Sequence, residues 1–142
     1  MRQQEITYPM VCRISALAEL DERPTAAEAT RQRAAAGDSD NAWLLDEWNA
    51  GRLLLAEVIV TVAAADDDGH DVTVRRAIDG VWLEPDAPPR VEEQVAGIAP
   101  AELEALATEL RDQGLAVDED DLQSSYLHVE LGERLLGALA AV

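Results

Sequence analysis

The segment Asp66-Asp67-Asp68-Gly69-His70-Asp71 places four carboxylates and an imidazole within six residues, a donor set that could hold a divalent cation. Helix–loop–helix calcium loops need glycine at the sixth position and glutamate at the twelfth. Counted from Asp66, those positions are Asp71 and Ala77, so the pattern fails and the segment reads as a polar hairpin tip. His128-Val129-Glu130 has the His-x-Glu of zinc deaminases, but no Pro-Cys-x-x-Cys follows to complete the ligand set. Ser124 and His128 are four residues apart and would share a helical face, with Asp120 or Asp121 one turn earlier. Nucleophilic catalysis also needs the serine on a strained turn such as Gly-x-Ser-x-Gly, and none is present. Cys12 is the only cysteine, so the chain forms neither an internal disulfide nor a cysteine-based zinc site. With 29 acidic residues, close carboxylate pairs arise by chance and identify no hydrolase. These residues predict a non-enzymatic protein with no metal and no cofactor.

The remaining chemistry is recognition. Trp43 and Trp48 flank the acidic pair Asp46-Glu47, and Trp82 lies further on. Lacking phenylalanine, the chain needs tryptophan for core volume; an exposed one would anchor an interface, and Trp48 is the candidate. Two acidic runs accompany it: Asp66, Asp67 and Asp68 with Asp71, and Asp118-Glu119-Asp120-Asp121. Over 142 residues, 29 acids against 11 arginines and no lysine give a net charge of -18. That balance excludes direct nucleic-acid binding, which needs a basic face, and docking on an anionic membrane. Residues 1–37 are neutral, with five acids and five arginines. Residues 38–99 carry -10 and residues 100–142 carry -8, so the acid belongs to the middle and the C-terminal part. A DNA duplex presents about one negative charge per 1.7 Å of axis, and rows of carboxylates can compete for the same arginine-lined groove. Trp48, Asp66, Asp67, Asp68, Asp71, Asp118, Glu119, Asp120 and Asp121 are therefore the expected contacts to a basic protein partner.

The elements that would position them follow from periodicity. Met10, Val11, Ile14, Leu17 and Ala18 recur at three- and four-residue steps, predicting a helix over Pro9–Leu20. A second, Ala-rich helix spans Thr25–Ala36, and Ser39 or Asp40 can cap a third over Asn41–Asn49. Val58, Val60 and Val62 alternate as a strand, as do Val72 and Val74. Asp79-Gly80 is the dipeptide of two-residue hairpin turns, so Val81-Trp82-Leu83 should begin a third strand. After the prolines, Val91, Val95 and Ile98 define one helix, and Leu103, Leu106, Ala107 and Leu110 another over Ala101–Gln113. The tail reads as mostly helical, although Tyr126–Leu131 also alternates like a strand.

The expected fold is α+β: a three-stranded antiparallel meander over Leu53–Leu83, packed against flanking helices in one domain. Its parts are a helical N-terminal stretch (1–50), the sheet (51–84) and a mainly helical C-terminal stretch (89–142). No apolar run approaches the ~20 residues that span a bilayer, and the N-terminus lacks a signal-peptide core, so the expected location is cytoplasmic.

Glu47-Trp48-Asn49-Ala50-Gly51, the Val58-x-Val60-x-Val62 strand and Gly80-Val81-Trp82-Leu83-Glu84-Pro85-Asp86 precede a Glu-rich helix. This arrangement resembles small uncharacterised acidic proteins of bacteriophages and mobile elements in GC-rich bacteria, over roughly Asp46–Leu110. The resemblance carries no catalytic residues. It implies a phage or mobile-element inhibitor of a nucleic-acid-handling host defence protein, occupying that protein's basic surface as a DNA mimic would. The alternative expectation is an assembly module forming a homodimer through the sheet edge or an apolar helix face.

Overall fold

The computed structural model describes residues 11–65, 71–117, 119–123 and 125–141. Among them a four-stranded mixed sheet forms in the order β3-β2-β1-β4. Strand β1 spans Val11–Leu20, β2 Leu54–Ala65, β3 Asp71–Leu83 and β4 Leu127–Leu131. The fold is α+β as expected, but the sheet is not a three-stranded meander.

The first correction is β1 itself, which replaces the helix expected over Pro9–Leu20 and makes the N-terminal part only partly helical. Ile14, Ala16 and Ala18 are buried while Arg13 and Leu17 are exposed, a period of two. The helical reading counted Leu17 as core and gave no weight to Ala16. Because β1 is an interior strand with a half-apolar outer face, its apolar residues satisfy both periods at once.

The second correction concerns Asp79-Gly80, which turns no hairpin. The long strand β3 runs through it, with Val58 opposite Ile78 and Ala56 opposite Val81, so Asp79 and Gly80 together face Glu57. This is a β-bulge. A two-residue hairpin turn of that type needs positive φ at both central residues. Gly80 has φ +69°, whereas no non-glycine residue among those described has positive φ.

The third correction is the tail. One short helix, α5 (Glu119–Gln123), is followed by β4, which pairs parallel to β1 with Ile14 opposite Leu127 and Ala18 opposite Leu131. The helical reading holds for α5 and for α6 (Glu133–Ala140), whereas Leu127–Leu131 follows the strand alternation.

Helices cover the two sheet faces unequally. The inner face presents Ile14, Ala16 and Ala18 beside Val58, Val60 and Val62, then Val72, Val74, Val81 and Leu83. On it lie α3 (Pro88–Ile98), a 3-10 turn (Ala99–Glu102) and α4 (Leu103–Asp112), with α5 and α6 completing the layer. Leu106, Leu110, Leu122 and Leu135 are essentially inaccessible there. Each such side chain contributes about 1.5–3 kcal/mol on burial, so this core carries the stability.

The outer face is covered at one end only, by α1 (Glu28–Ala35) and α2 (Ser39–Asn49). The α2 cap is Asp38, whose carboxylate accepts from the Asp40 and Asn41 amides at 3.0 and 3.2 Å. Neither Ser39 nor Asp40, the expected caps, fills that position.

Candidate functional site

Asp71 and the acids of α5, about 50 residues apart in sequence, lie toward the same end of the sheet. Ala65 pairs with both Val11 and Asp71, so the start of β1 and the start of β3 flank the end of β2 at one end of the sheet. Asp71 is exposed there. Beside that end, burial raises the pKa of the Cys12 thiol, and the charge of Asp121 on α5 raises it further. Asp121 therefore lies near the first residues of β1. Glu119 is half-buried, and Asp120 and Asp121 are exposed on α5, which is anchored by buried Leu122. Of the expected contact residues, Asp71, Glu119, Asp120 and Asp121 thus gather at one end. Asp66, Asp67, Asp68 and Asp118 lie outside the described residues, as does Ser124.

Trp48 lies at the opposite end. Its ring meets Trp82 edge to face at 6.2 Å between centroids, 71° between planes, and the Arg31 guanidinium sits over it at 5.4 Å. Trp82 pairs with Leu55, ten residues along β2 from Ala65. At the strand rise that is roughly 33 Å. Trp48 is half-buried in fastening α2 to the outer sheet face, and Trp43 is the tryptophan left 57% exposed.

A separate polar cluster forms around Arg23, and sequence reasoning missed it. Its guanidinium donates to both oxygens of Asp21 at 2.8 and 2.6 Å and approaches Asp79 at 3.3 Å and Glu57 at 3.7 Å. The Asp21 side chain is 3% exposed. Its pKa is lowered chiefly by the Arg23 hydrogen bond, whereas that of Glu57 is raised by a hydrogen bond with Asp79 and by burial. Oxygens of Asp21, Glu57 and Asp79 all lie within 4.8 Å of one another, a spacing that would also suit a cation. Arg23 already supplies the positive charge, and the bulge that turns Asp79 toward Glu57 is what assembles the group. The only sequence signal was the Asp79-Gly80 dipeptide, read as a different turn.

The rest of the outer face is open. Alternation directs Arg13, Ser15, Leu17 and Glu19 of β1 outward, beside Ala63, Thr61, Ile59 and Glu57 of β2. Thr73, Arg75, Ala77 and Asp79 of β3 and His128 and Glu130 of β4 complete it. Arg13 and Arg75 make no ion pair among the described residues. His128 lies on a strand opposite Ser15 and not on the helix expected for it. The surface combines charged and apolar residues.

Scans against protein-family models, curated proteins and solved structures find nothing that matches this chain.

Proposed function

We propose that the chain is a non-enzymatic binding module that presents the acidic end of its sheet to a basic protein. The observation that carries this reading is that the β3 start, with Asp71, and α5, with Asp120 and Asp121, both lie toward the end of the sheet where β1 begins. Carboxylates from two distant runs then stand at one end of a folded scaffold, whereas isolated runs in loops would only be solvated. The exposed acids Glu92, Glu93, Glu104, Glu109 and Asp112 on α3 and α4 extend the negative potential over the helical layer. A surface of this sign steers toward partners lined with arginine and lysine. Nucleic-acid-handling proteins are the class that such carboxylates fit, and a phage-type inhibitor of one is the concrete form. An edge-paired dimer is less well supported, because the Asp79-Gly80 bulge and Arg75-Arg76 interrupt the long edge strand β3.

Competition tests the reading. A panel of basic nucleic-acid-handling proteins is bound to labelled duplex DNA, and this protein is added. Displacement of DNA from a panel member, lost in the Asp71→Asn/Asp120→Asn/Asp121→Asn variant, is the expected result. A protein that displaces no DNA, or a variant that displaces it equally well, overturns the reading.

A further inference from the structure

On the outer face, at the end that α1 and α2 leave uncovered, short and long side chains of β1, β2 and β4 together form a basin. Its floor is Ser15 of β1 with Thr61 and Ala63 of β2, and Ser15 pairs directly with Thr61. Its walls are Arg13 of β1, His128 of β4, which lies opposite Ser15, and Tyr126, which immediately precedes β4. All six residues line a cavity of about 490 Å³. That volume falls inside the range of roughly 300–1,000 Å³ typical of small-molecule sites.

The polar groups of the basin are not engaged with the rest of the chain. Among the described residues Arg13 makes no ion pair, and neither the Ser15 nor the Thr61 hydroxyl makes a hydrogen bond. Tyr126 is 83% exposed, so its ring is presented to solvent at the rim. Carboxylates stand near the basin but do not line it. Glu130 lies one row further along β4, beside Leu17, and Asp71 lies one row beyond Arg13 and two strands away on β3. The charge offered inside the cavity is therefore that of Arg13.

We propose that this basin binds a small aromatic carboxylate. The Arg13 guanidinium takes the carboxylate through a forked pair of charge-assisted hydrogen bonds. The Ser15 and Thr61 hydroxyls and a ring N–H of His128 supply further donors. The aromatic body of the ligand packs against the Tyr126 ring, which has no covering residue of its own. The acids of the chain select among anions. A net charge of -18 repels a dianion about twice as strongly as a monoanion, which favours a carboxylate over a phosphate monoester. The basin shares no residue with the carboxylates of β3 and α5 that are proposed to meet a basic protein, so the two kinds of binding are independent.

The test is titration of the full chain with benzoate, acetate and benzamide, followed by NMR at the ring signals of Tyr126 and His128. Benzoate should bind with a Kd on the order of 1 mM, as suits so small a ligand. Acetate, which lacks the ring, and benzamide, which lacks the charge, should each bind about tenfold more weakly. Arg13→Gln should weaken benzoate binding by about tenfold, and Tyr126→Ala should reduce it to the affinity of acetate. Arg90→Gln removes an exposed charge on α3, outside the basin, and should leave benzoate binding unchanged. Arg13 and Tyr126 are exposed, so their variants keep the fold, as circular dichroism would verify. Absence of benzoate binding up to about 50 mM, acetate or benzamide binding as tightly as benzoate, or an Arg13→Gln variant no weaker than Arg90→Gln overturns the proposal.

Discussion

Burial holds the Cys12 thiol of β1 above its ordinary pKa, and the negative charge of Asp121 on α5 pushes it higher still. Residues 109 positions apart are thereby coupled, and their proximity places α5 at the sheet end from which β3 also starts.

Reactivity reads that proximity directly. The thiolate is the reacting form, so alkylation of Cys12 should rise with pH at a midpoint above that of a free thiol. Asp121→Asn should move the midpoint down while leaving the circular dichroism spectrum unchanged. An unmoved midpoint would mean that α5 lies elsewhere.

The bulge makes a paired prediction from two glycines. Gly80 has φ +69° with open space around its Cα, so Gly80→Ala should cost about 1 kcal/mol from backbone strain alone. Gly97 lies in α3, also with open space and no positive φ, so Gly97→Ala should stabilise by about 0.5–1 kcal/mol. Denaturant unfolding of both variants checks the opposite signs.

Glu57 sets a pH dependence. Its folded-state pKa is raised by the Asp79 hydrogen bond and by burial, so the folded chain binds this proton more tightly than the unfolded chain does. The resulting stability is present below the ordinary carboxylate pKa and is lost as pH rises through the raised one. Asp21 acts oppositely: its lowered pKa gives stability that is present above the ordinary value and lost on acidification. Glu57→Gln keeps a hydrogen-bonding group but removes the charge. It should raise neutral-pH stability by about 0.5 kcal/mol and flatten the fall above the carboxylate range. Thermal melts at pH 4, 5.5 and 7 would show it.

Glu19 caps α6 from a distant strand. Its carboxylate accepts from the Leu135 amide at 2.8 Å and the Arg134 amide at 3.3 Å, and Gly132 leaves room for it. A Cβ at position 132 would collide with that carboxylate. Gly132→Ala should therefore uncap α6 and cost about 1–2 kcal/mol, as should Glu19→Ala. The double variant should cost little more than either single one, because both remove the same interaction.

The contrast between β2 and β1 explains what could be read in advance. Val58, Val60 and Val62 are β-branched and strictly alternating, and Leu103, Leu106 and Leu110 form a stripe that only a helix can bury. Local pattern sufficed for both. In β1, Ala16 and Ala18 are buried by neighbours on β2, β4 and α3, which local spacing does not reveal. The parallel pairing of β4 with β1 spans more than 100 residues and has no turn signature. The same holds for the sites. The carboxylates of Asp71 and Asp121 were legible as acidic runs, but their shared end was not. The Arg23 cluster depends on a bulge that only the register reveals, and Trp48 could not be separated from the acids until β2 supplied the distance between them.

The most direct measurement is the affinity for a basic partner that the competition panel identifies, taken at increasing salt for wild type and the Asp71→Asn/Asp120→Asn/Asp121→Asn variant. Contacts carried by the acidic end should make wild-type binding fall at least tenfold between 0.05 and 0.5 M salt, as screening shortens the reach of each charge from ~14 Å to ~4 Å. The variant should start weaker and show a shallower slope. Wild-type binding that is unchanged at 0.5 M salt, or a variant with the wild-type affinity and slope, would contradict the account.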